Sequence, residues 1–359
     1  MSNTSMHAAV VHAFGKPLTL EELPIPEIQK DQVLIKLETS GVCHTDLHAA
    51  NGDWPFKPTL PFIPGHEGAG FVAAVGSDVR SFKEGDRVGV PWLFDACGEC
   101  DYCQTGWETL CEKQRNTGYS INGCFADYVA ASAGYIAHIP DKMEFMTASP
   151  TLCAGVTTYK GLKETQIKAG EWVAIVGVGG LGHMAVEYAK AMGFHVVAID
   201  IAQDKLDLAK KVGADMTVLA SKDVDPSDVI QNELKGVHGV LVTAVSPPAF
   251  RQAVGMLRRG GTCVLVGLPP GEFPMPIFDV VLKRLTVRGS IVGTRQDLRE
   301  ALQIAQDYNI KPSIEVQPLS AINEIFARLE KGDVTGRVVL DMAATTDSSD
   351  KSRSHATGL

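Results

Sequence analysis

The sequence predicts an α/β protein of two domains, one β-rich and one built on a doubly wound, parallel, six-stranded sheet. Its 359 residues exceed the size at which one hydrophobic core usually stops growing. From Trp172 onward, apolar runs alternate regularly with helical patterns, which builds a parallel sheet covered on both faces. Before that point, short alternating segments are broken by Pro and Gly too often for long helices.

Composition narrows the function classes. Hydrophobic residues make up 45% and charged residues 21%, the balance of an ordinary globular protein. A formal charge of -9 argues against a broad nucleic-acid or anionic-membrane footprint, since both need concentrated Lys and Arg. No stretch supplies 18 uninterrupted apolar residues for a membrane span. Met1 to Val11 lacks the basic stretch and apolar core of a secretory signal. Four of the eight Cys fall between residues 97 and 111, which fits a metal site in a reducing compartment better than a disulfide framework. A cytoplasmic protein is expected.

In the first domain, Val33, Ile35 and Leu37 alternate with Leu34, Lys36 and Glu38, the period of a half-buried strand. Phe71 to Gly76, Asp86 to Val90 and Ala126 to Val129 read as further strands. Chemistry is expected on the loops between them. Cys97, Cys100, Cys103 and Cys111 are separated by two, two and seven residues, a spacing that closes a four-thiolate structural zinc site. A bacterial iron–sulfur run would close with a three-residue gap and a following Pro, and has neither counterpart here. Closed coordination leaves no place for substrate, so this metal fixes a lobe that has few core residues of its own.

Cys43, His66 and Cys153 form a second candidate set. Two thiolates and an imidazole with no fourth strong donor suit a catalytic zinc, whose last position must stay open. By spacing alone, the alternative of three packing residues with no common centre carries equal weight.

The second domain opens with the strand pattern Trp172 to Val176. The turn Gly177-Val178-Gly179-Gly180-Leu181-Gly182, a helical run from His183 to Met192, and a strand His195 to Ile199 ending in Asp200 follow. This is a whole dinucleotide-binding unit: glycines let the backbone approach a pyrophosphate at a helix N-terminus, and the terminal acid accepts from a ribose. Asp200 favours a free 2′-hydroxyl over a 2′-phosphate, and Ile201-Ala202-Gln203 supplies no cation, so NAD is expected over NADP. Helices at Leu206 to Val212, Val229 to Leu234 and Pro248 to Arg258 alternate with strands at Met216 to Leu219, Gly239 to Thr243, Thr262 to Val266 and Leu285 to Gly289. Past residue 291 the pattern gives two helices and a last strand, Arg337 to Leu340. The tail 343–359 is polar and Ser/Thr-rich, with too little to bury, and disorder is expected there.

Together, Gly41 to His48, Gly65-His66-Glu67-Gly68-Ala69-Gly70, the four clustered Cys, Cys153 to Thr157 and Gly179 to Gly182 carry a specific likeness extending to about Met342. The chain resembles the zinc-dependent medium-chain dehydrogenases, and within them the tetrameric bacterial and yeast type of alcohol dehydrogenase, a standard example of the two-Cys, one-His catalytic zinc. The resemblance implies a GroES-like catalytic domain of residues 1–154 to which 292–342 returns, with a Rossmann domain of 155–291 inserted and the active site in the cleft between them.

It further implies reversible hydride transfer between primary alcohols and NAD, with two zincs per subunit and a homotetramer whose dimer edge lies near residues 277–291. Cys43, His66 and Cys153 match the catalytic zinc ligands, with Glu67 an occasional ligand and Asp46 orienting His66. Thr45 and His48 match a proton relay. His44 and Arg337 match pyrophosphate contacts, Lys205 a ribose contact, and Val266 is counted with the cofactor-binding residues beside Gly177, Gly179, Gly180, Leu181, Gly182 and Asp200. Trp54 and Trp92 match pocket aromatics that favour ethanol and other short primary alcohols, while the aliphatic Leu268 and Ile291 leave room for benzyl-type alcohols.

Cys124 and Cys263 read as buried thiols, and His183, His195 and His238 as packing or surface residues. Two alternatives are weighed against this reading. A cinnamyl-type, NADP-preferring aldehyde reductase is disfavoured by Asp200 and the two Trp. A non-catalytic zinc- and nucleotide-binding protein would have no use for a proton path.

Overall fold

Val33, Ile35 and Leu37 are buried while Lys36 is exposed, so the period-two pattern becomes the inner strand Gln32–Val42. The architecture around it is a computed structural model that describes residues 4 to 343; the expected polar tail, from residue 344 on, lies outside the described residues. Gln32–Val42 pairs with Gly68–Val75 along one edge, and with Tyr128–Ser132 and Arg337–Asp341 along different halves of the other. Seven strands form this sheet, extended by Arg87–Val90 and Ala137–His138 at one end and Ile314–Pro318 at the other. Ile314–Pro318 departs from the expectation of two helices and one strand past residue 291. Pro312 and Pro318 bracket the segment, and proline reads as a breaker in sequence although it is tolerated at the ends of an edge strand.

The second sheet has six parallel strands in the order Met216–Leu219, His195–Asp200, Trp172–Val176, Val237–Val242, Leu257–Leu265, Thr286–Gly289. That is the doubly wound order 3-2-1-4-5-6, with the reversal between Trp172–Val176 and Val237–Val242. Side chains from both faces of these strands are buried, Ala174, Val176, Val197 and Ile199 on one face and Val173, Ile175, Val196 and Ala198 on the other, because helices cover the sheet on each side.

By contact density, residues up to Leu152 with Ile314–Asp333 and Arg337–Asp341 make one unit, and Cys153–Ser313 with Val334–Gly336 makes the other. The return to the first unit therefore comes at Ile314, later than the residue 292 expected from sequence. The helix Arg295–Asp307 explains the difference. Its buried Leu298, Ala301, Leu302 and Ala305 face the second unit, Lys163 Nζ donates to Asp297 Oδ1 at 2.8 Å and Glu300 Oε2 at 2.7 Å, and Tyr188 Oη donates to Ala301 O. An amphipathic pattern tells that a face is buried, not which core receives it. Among the described residues no helix is long and apolar enough to cross a membrane.

Candidate functional site

His44–Asn51 is a short helix, so Thr45, Asp46 and His48 sit on a helix rather than on the loop expected. The run 43–51 contains no Pro or Gly, and Gly52 closes it in the left-handed conformation at φ 67°. Cys43 stands at the N-cap, and its backbone N–H donates to Asp46 Oδ2 at 2.9 Å. The other carboxylate oxygen, Oδ1, accepts from Gly65 N–H at 3.1 Å and from His66 Nδ1 at 2.7 Å. One buried acid thus ties the Cys43 turn to the Gly65-His66 turn.

With Nδ1 directed at a carboxylate, Nε2 is the nitrogen that a metal would take. The second sulfur, that of Cys153, comes from the π-helical turn Thr151–Gly155, which follows directly on Pro150. Proline lacks an N–H and crowds the preceding turn, and the helical ladder widens just past it. Ligand atoms of Cys43, His66, Glu67 and Cys153 all lie within 4.8 Å of one another, and all four residues are buried. Glu67 is held from behind by an ion pair with Arg337, and Gly41 makes room for it: a Cβ there would lie 1.9 Å from Glu67 Oε2. Burial pushes the Glu67 carboxyl up to about 7 against the pull of Arg337. Two thiols and an oriented imidazole fit zinc with a position left open.

Beside His66 stands an aromatic wall. The Trp92 ring meets the His66 ring edge-on at 5.2 Å, and Trp54 meets Trp92 at 6.3 Å. Tyr119, which the sequence reading missed, completes it at 5.5 Å from Trp54 and 5.7 Å from Trp92, and its hydroxyl donates to Phe56 O. No periodicity or motif marks Tyr119; only folding brings its turn against residues 54–56. His48 lies 5.9 Å from Trp54 and bonds Asp53 Oδ2 through Nδ1 at 2.8 Å, with its ring partly exposed. Thr45 is half-buried and His44 exposed on the same helix.

Cys97, Cys100, Cys103 and Cys111 also converge, with sulfurs within 4.8 Å of one another. N–H groups of Glu99 and Cys100 pull the Cys97 thiol down to about 6, whereas burial and the three neighbouring sulfurs push Cys103 up to about 12. Four sulfurs this close need a cation between them to be thiolates together.

In the second unit the glycine turn has the three properties a phosphate loop needs. Gly177 has φ 92° and a Cβ there would meet the Ala244 backbone at 2.8 Å; a Cβ on Gly182 would lie 1.9 Å from Gly177 O; one on Gly179 would meet nothing within 4 Å. The first and third therefore serve the turn and its packing, while the second faces open space where a ligand's phosphates can approach. Asp200 Oδ2 accepts from Val178 N–H at 2.6 Å, and Oδ1 from Ile201 and Ala202 N–H at 2.8 and 3.1 Å. Lys205 follows in the helix Gln203–Lys211, and Val266 donates its N–H to Val242 O just past the strand Leu257–Leu265. Leu268 and Ile291 are exposed in this unit, by 70% and 50%. Cys124 and Cys263 are buried as expected.

Residues 29–141 match the family profile described as alcohol dehydrogenase GroES-like domain, and residues 180–307 the one described as zinc-binding dehydrogenase. An alcohol dehydrogenase of Rhizobium meliloti (strain 1021) is 59% identical over 94% of this chain and 99% of its own length. The chain belongs to the zinc-dependent medium-chain alcohol dehydrogenases. Solved members of that family superpose along nearly the whole chain. The alcohol dehydrogenase of the archaeon Aeropyrum pernix has a TM-score of 0.85 at 32% identity, covering 93% of this chain and 99% of its own. The protein called CAD from Helicobacter pylori, solved with NADP(H), gives 0.84 at 26% identity over 95% of this chain and 98% of its own. As a medium-chain alcohol dehydrogenase the chain is a zinc-binding oxidoreductase that uses a nicotinamide cofactor.

Proposed function

We propose that the protein interconverts short primary alcohols and aldehydes with NAD, using one catalytic and one structural zinc per subunit. The observation that carries this is the His66–Asp46 pair buried among two thiols with Trp92 against the imidazole edge. Cys43, His66 and Cys153 would hold the catalytic zinc, with Glu67 beside them. Zinc bound there supplies Lewis-acid chemistry, lowering the pKa of a hydroxyl or polarising a carbonyl. Asp46 orients His66, and Thr45 and His48 carry the alcohol proton outward, the contact of His48 Nδ1 with Asp53 leaving Nε2 as the nitrogen to take up the proton. Trp54, Trp92 and Tyr119 narrow the site toward ethanol-sized substrates, and the aliphatic Leu268 and Ile291 admit longer or benzyl-type alcohols.

In the cofactor unit the Gly177–Gly182 turn receives the pyrophosphate, with His44 and Arg337 as further contacts. Val266 is counted among the cofactor-binding residues, and Asp200 meets the ribose with Lys205. The negative charge of Asp200 and the exposed, uncharged Ile201 after it support NAD over NADP. The spacing of four of the eight Cys between residues 97 and 111, that of a metal site and not of a disulfide framework, supports a cytoplasmic setting. The edge strand Thr286–Gly289 and the exposed Ile277, Phe278 and Val281 support assembly through that edge, in a homotetramer.

The test is NADH formation from ethanol, butanol and benzyl alcohol, with NAD and NADP in parallel, before and after zinc chelation. Chelator-sensitive turnover with NAD is expected, fastest with the small alcohols. Absence of turnover by zinc-replete protein with every alcohol and matching aldehyde would sink the substrate assignment. Replacing Asp200 with Gly should relax the preference for NAD; unchanged selectivity would contradict its role.

A further inference from the structure

The glycine turn contains a Gly179-Gly180 peptide, flanked on both sides by the residue least able to hold a peptide plane in place. A planar trans peptide points its C=O and N–H in opposite directions, so whatever fixes the Gly179 carbonyl also aims the Gly180 N–H. That carbonyl accepts twice from a single residue. His183 donates its backbone N–H to Gly179 O at 3.2 Å, and its ring nitrogen Nδ1 lies 3.0 Å from the same oxygen. The remaining ring nitrogen, Nε2, lies 3.3 Å from the backbone N–H of Ser313.

These partners fix the state of the imidazole. A carbonyl only accepts, so Nδ1 must carry the proton; a backbone N–H only donates, so Nε2 must be the acceptor. His183 is fully buried on the helix Gly182–Ala191, where a neutral ring with both nitrogens satisfied is the inexpensive arrangement. The Gly179 carbonyl is thereby drawn into the first helical turn, and the Gly180 N–H is turned out of the helix N-terminus, the direction from which such a turn meets anionic oxygens.

We propose that His183 is a positioning residue for cofactor binding: through Gly179 O it locks the Gly179-Gly180 peptide so that the Gly180 N–H is presented to the cofactor's pyrophosphate. This rests on the reading of the turn as the nucleotide site. It assigns a role to a histidine that the sequence alone leaves as packing.

Two substitutions separate the ring's two bonds. Asn at 183 places an N–H near the position of Nδ1 and loses the Nε2 acceptor; Gln reaches the Nε2 position and loses the donor to Gly179. NADH affinity by fluorescence titration, kcat at saturating NAD, KM for alcohol and Tm would be measured on zinc-loaded full-length protein. For His183→Gln, NADH Kd should rise about tenfold, a loss of roughly 1.4 kcal/mol and so the size of one hydrogen bond. Its kcat at saturating NAD and its KM for alcohol should stay within about twofold, and His183→Asn should keep NADH Kd within about threefold. A merely structural histidine would lower Tm in both variants and leave NADH Kd alike in the two. Equal Kd in the two variants, or a wild-type Kd in His183→Gln, would overturn the proposal. If the wild-type protein itself failed to bind NADH, the nucleotide reading would fall, and the inference with it.

Discussion

Two sulfur-rich clusters in this protein are built in opposite ways. Cys97, Cys100, Cys103 and Cys111 come from fifteen consecutive residues, three of them only partly buried, in a lobe whose Tyr102, Trp107 and Leu110 are exposed. Cys43, His66 and Cys153 come from residues far apart in sequence, all buried, and held by a single acid that bonds two of their turns. The lobe has little hydrophobic core, and the metal proposed there would substitute for one. The scattered set has the surrounding fold to hold it and can leave coordination incomplete. On the proposed reading, local ligands serve stability and assembled ligands serve chemistry.

That contrast breaks most visibly at His66. His66→Ala should cost roughly a thousandfold in kcat/KM, the worth of several kcal/mol of charge stabilisation at 1.36 kcal/mol per tenfold. Metal analysis should show loss of one zinc with the other retained. Activity within tenfold of wild type would remove the catalytic assignment. Cys103→Ser should do the reverse. Loss of the lobe's metal should lower Tm by roughly 5 °C or more and open the 97–111 segment to proteolysis, as expected when a few kcal/mol of folding energy is lost. The protein that stays folded should keep kcat within about threefold; a loss of kcat matching that of His66→Ala would erase the distinction between the clusters.

Asp46→Asn sharpens the comparison, since only the assembled site leans on a supporting acid. Zinc affinity, read by chelator competition, should fall about 10- to 100-fold at the catalytic site alone. The smallest effect is expected at His48, which lies outside the ligand set with its ring partly in solvent. His48→Ala should slow turnover only where proton release limits it, by several-fold and with a changed pH–rate profile. An unchanged profile and rate would remove it from the proton path.

The four-Cys cluster was legible because its ligands lie within one short segment, so spacing is already geometry. The dinucleotide unit was legible for the same reason: strand, glycine turn, helix, strand and acid are consecutive, and Trp172–Val176 and His195–Asp200 appear where the pattern put them. Spacing could not bring Cys43, His66 and Cys153 together, and the family likeness supplied what it lacked. The strand Ile314–Pro318 escaped because its prolines read as breakers, and the helix Arg295–Asp307 was given to the wrong partner because amphipathicity names a buried face without naming what covers it. Tyr119 carried no signal at all.

The sequence by itself thus determined the class of fold, the strand order's raw material and the residue types able to bind metal and nucleotide, all of which depend on neighbours within a few turns of chain. Only the tertiary structure decided that Asp46 serves both Cys43 and the His66 turn, that Arg337 backs Glu67, that Tyr119 closes the aromatic wall and that His183 grips the Gly179 carbonyl. For the first three, distances of a few ångströms join Asp46 to His66, Arg337 to Glu67 and Tyr119 to Trp54, pairs that the chain separates by tens to hundreds of positions. His183 lies close to Gly179 in sequence, but the second partner that fixes its ring, Ser313, comes from far along the chain.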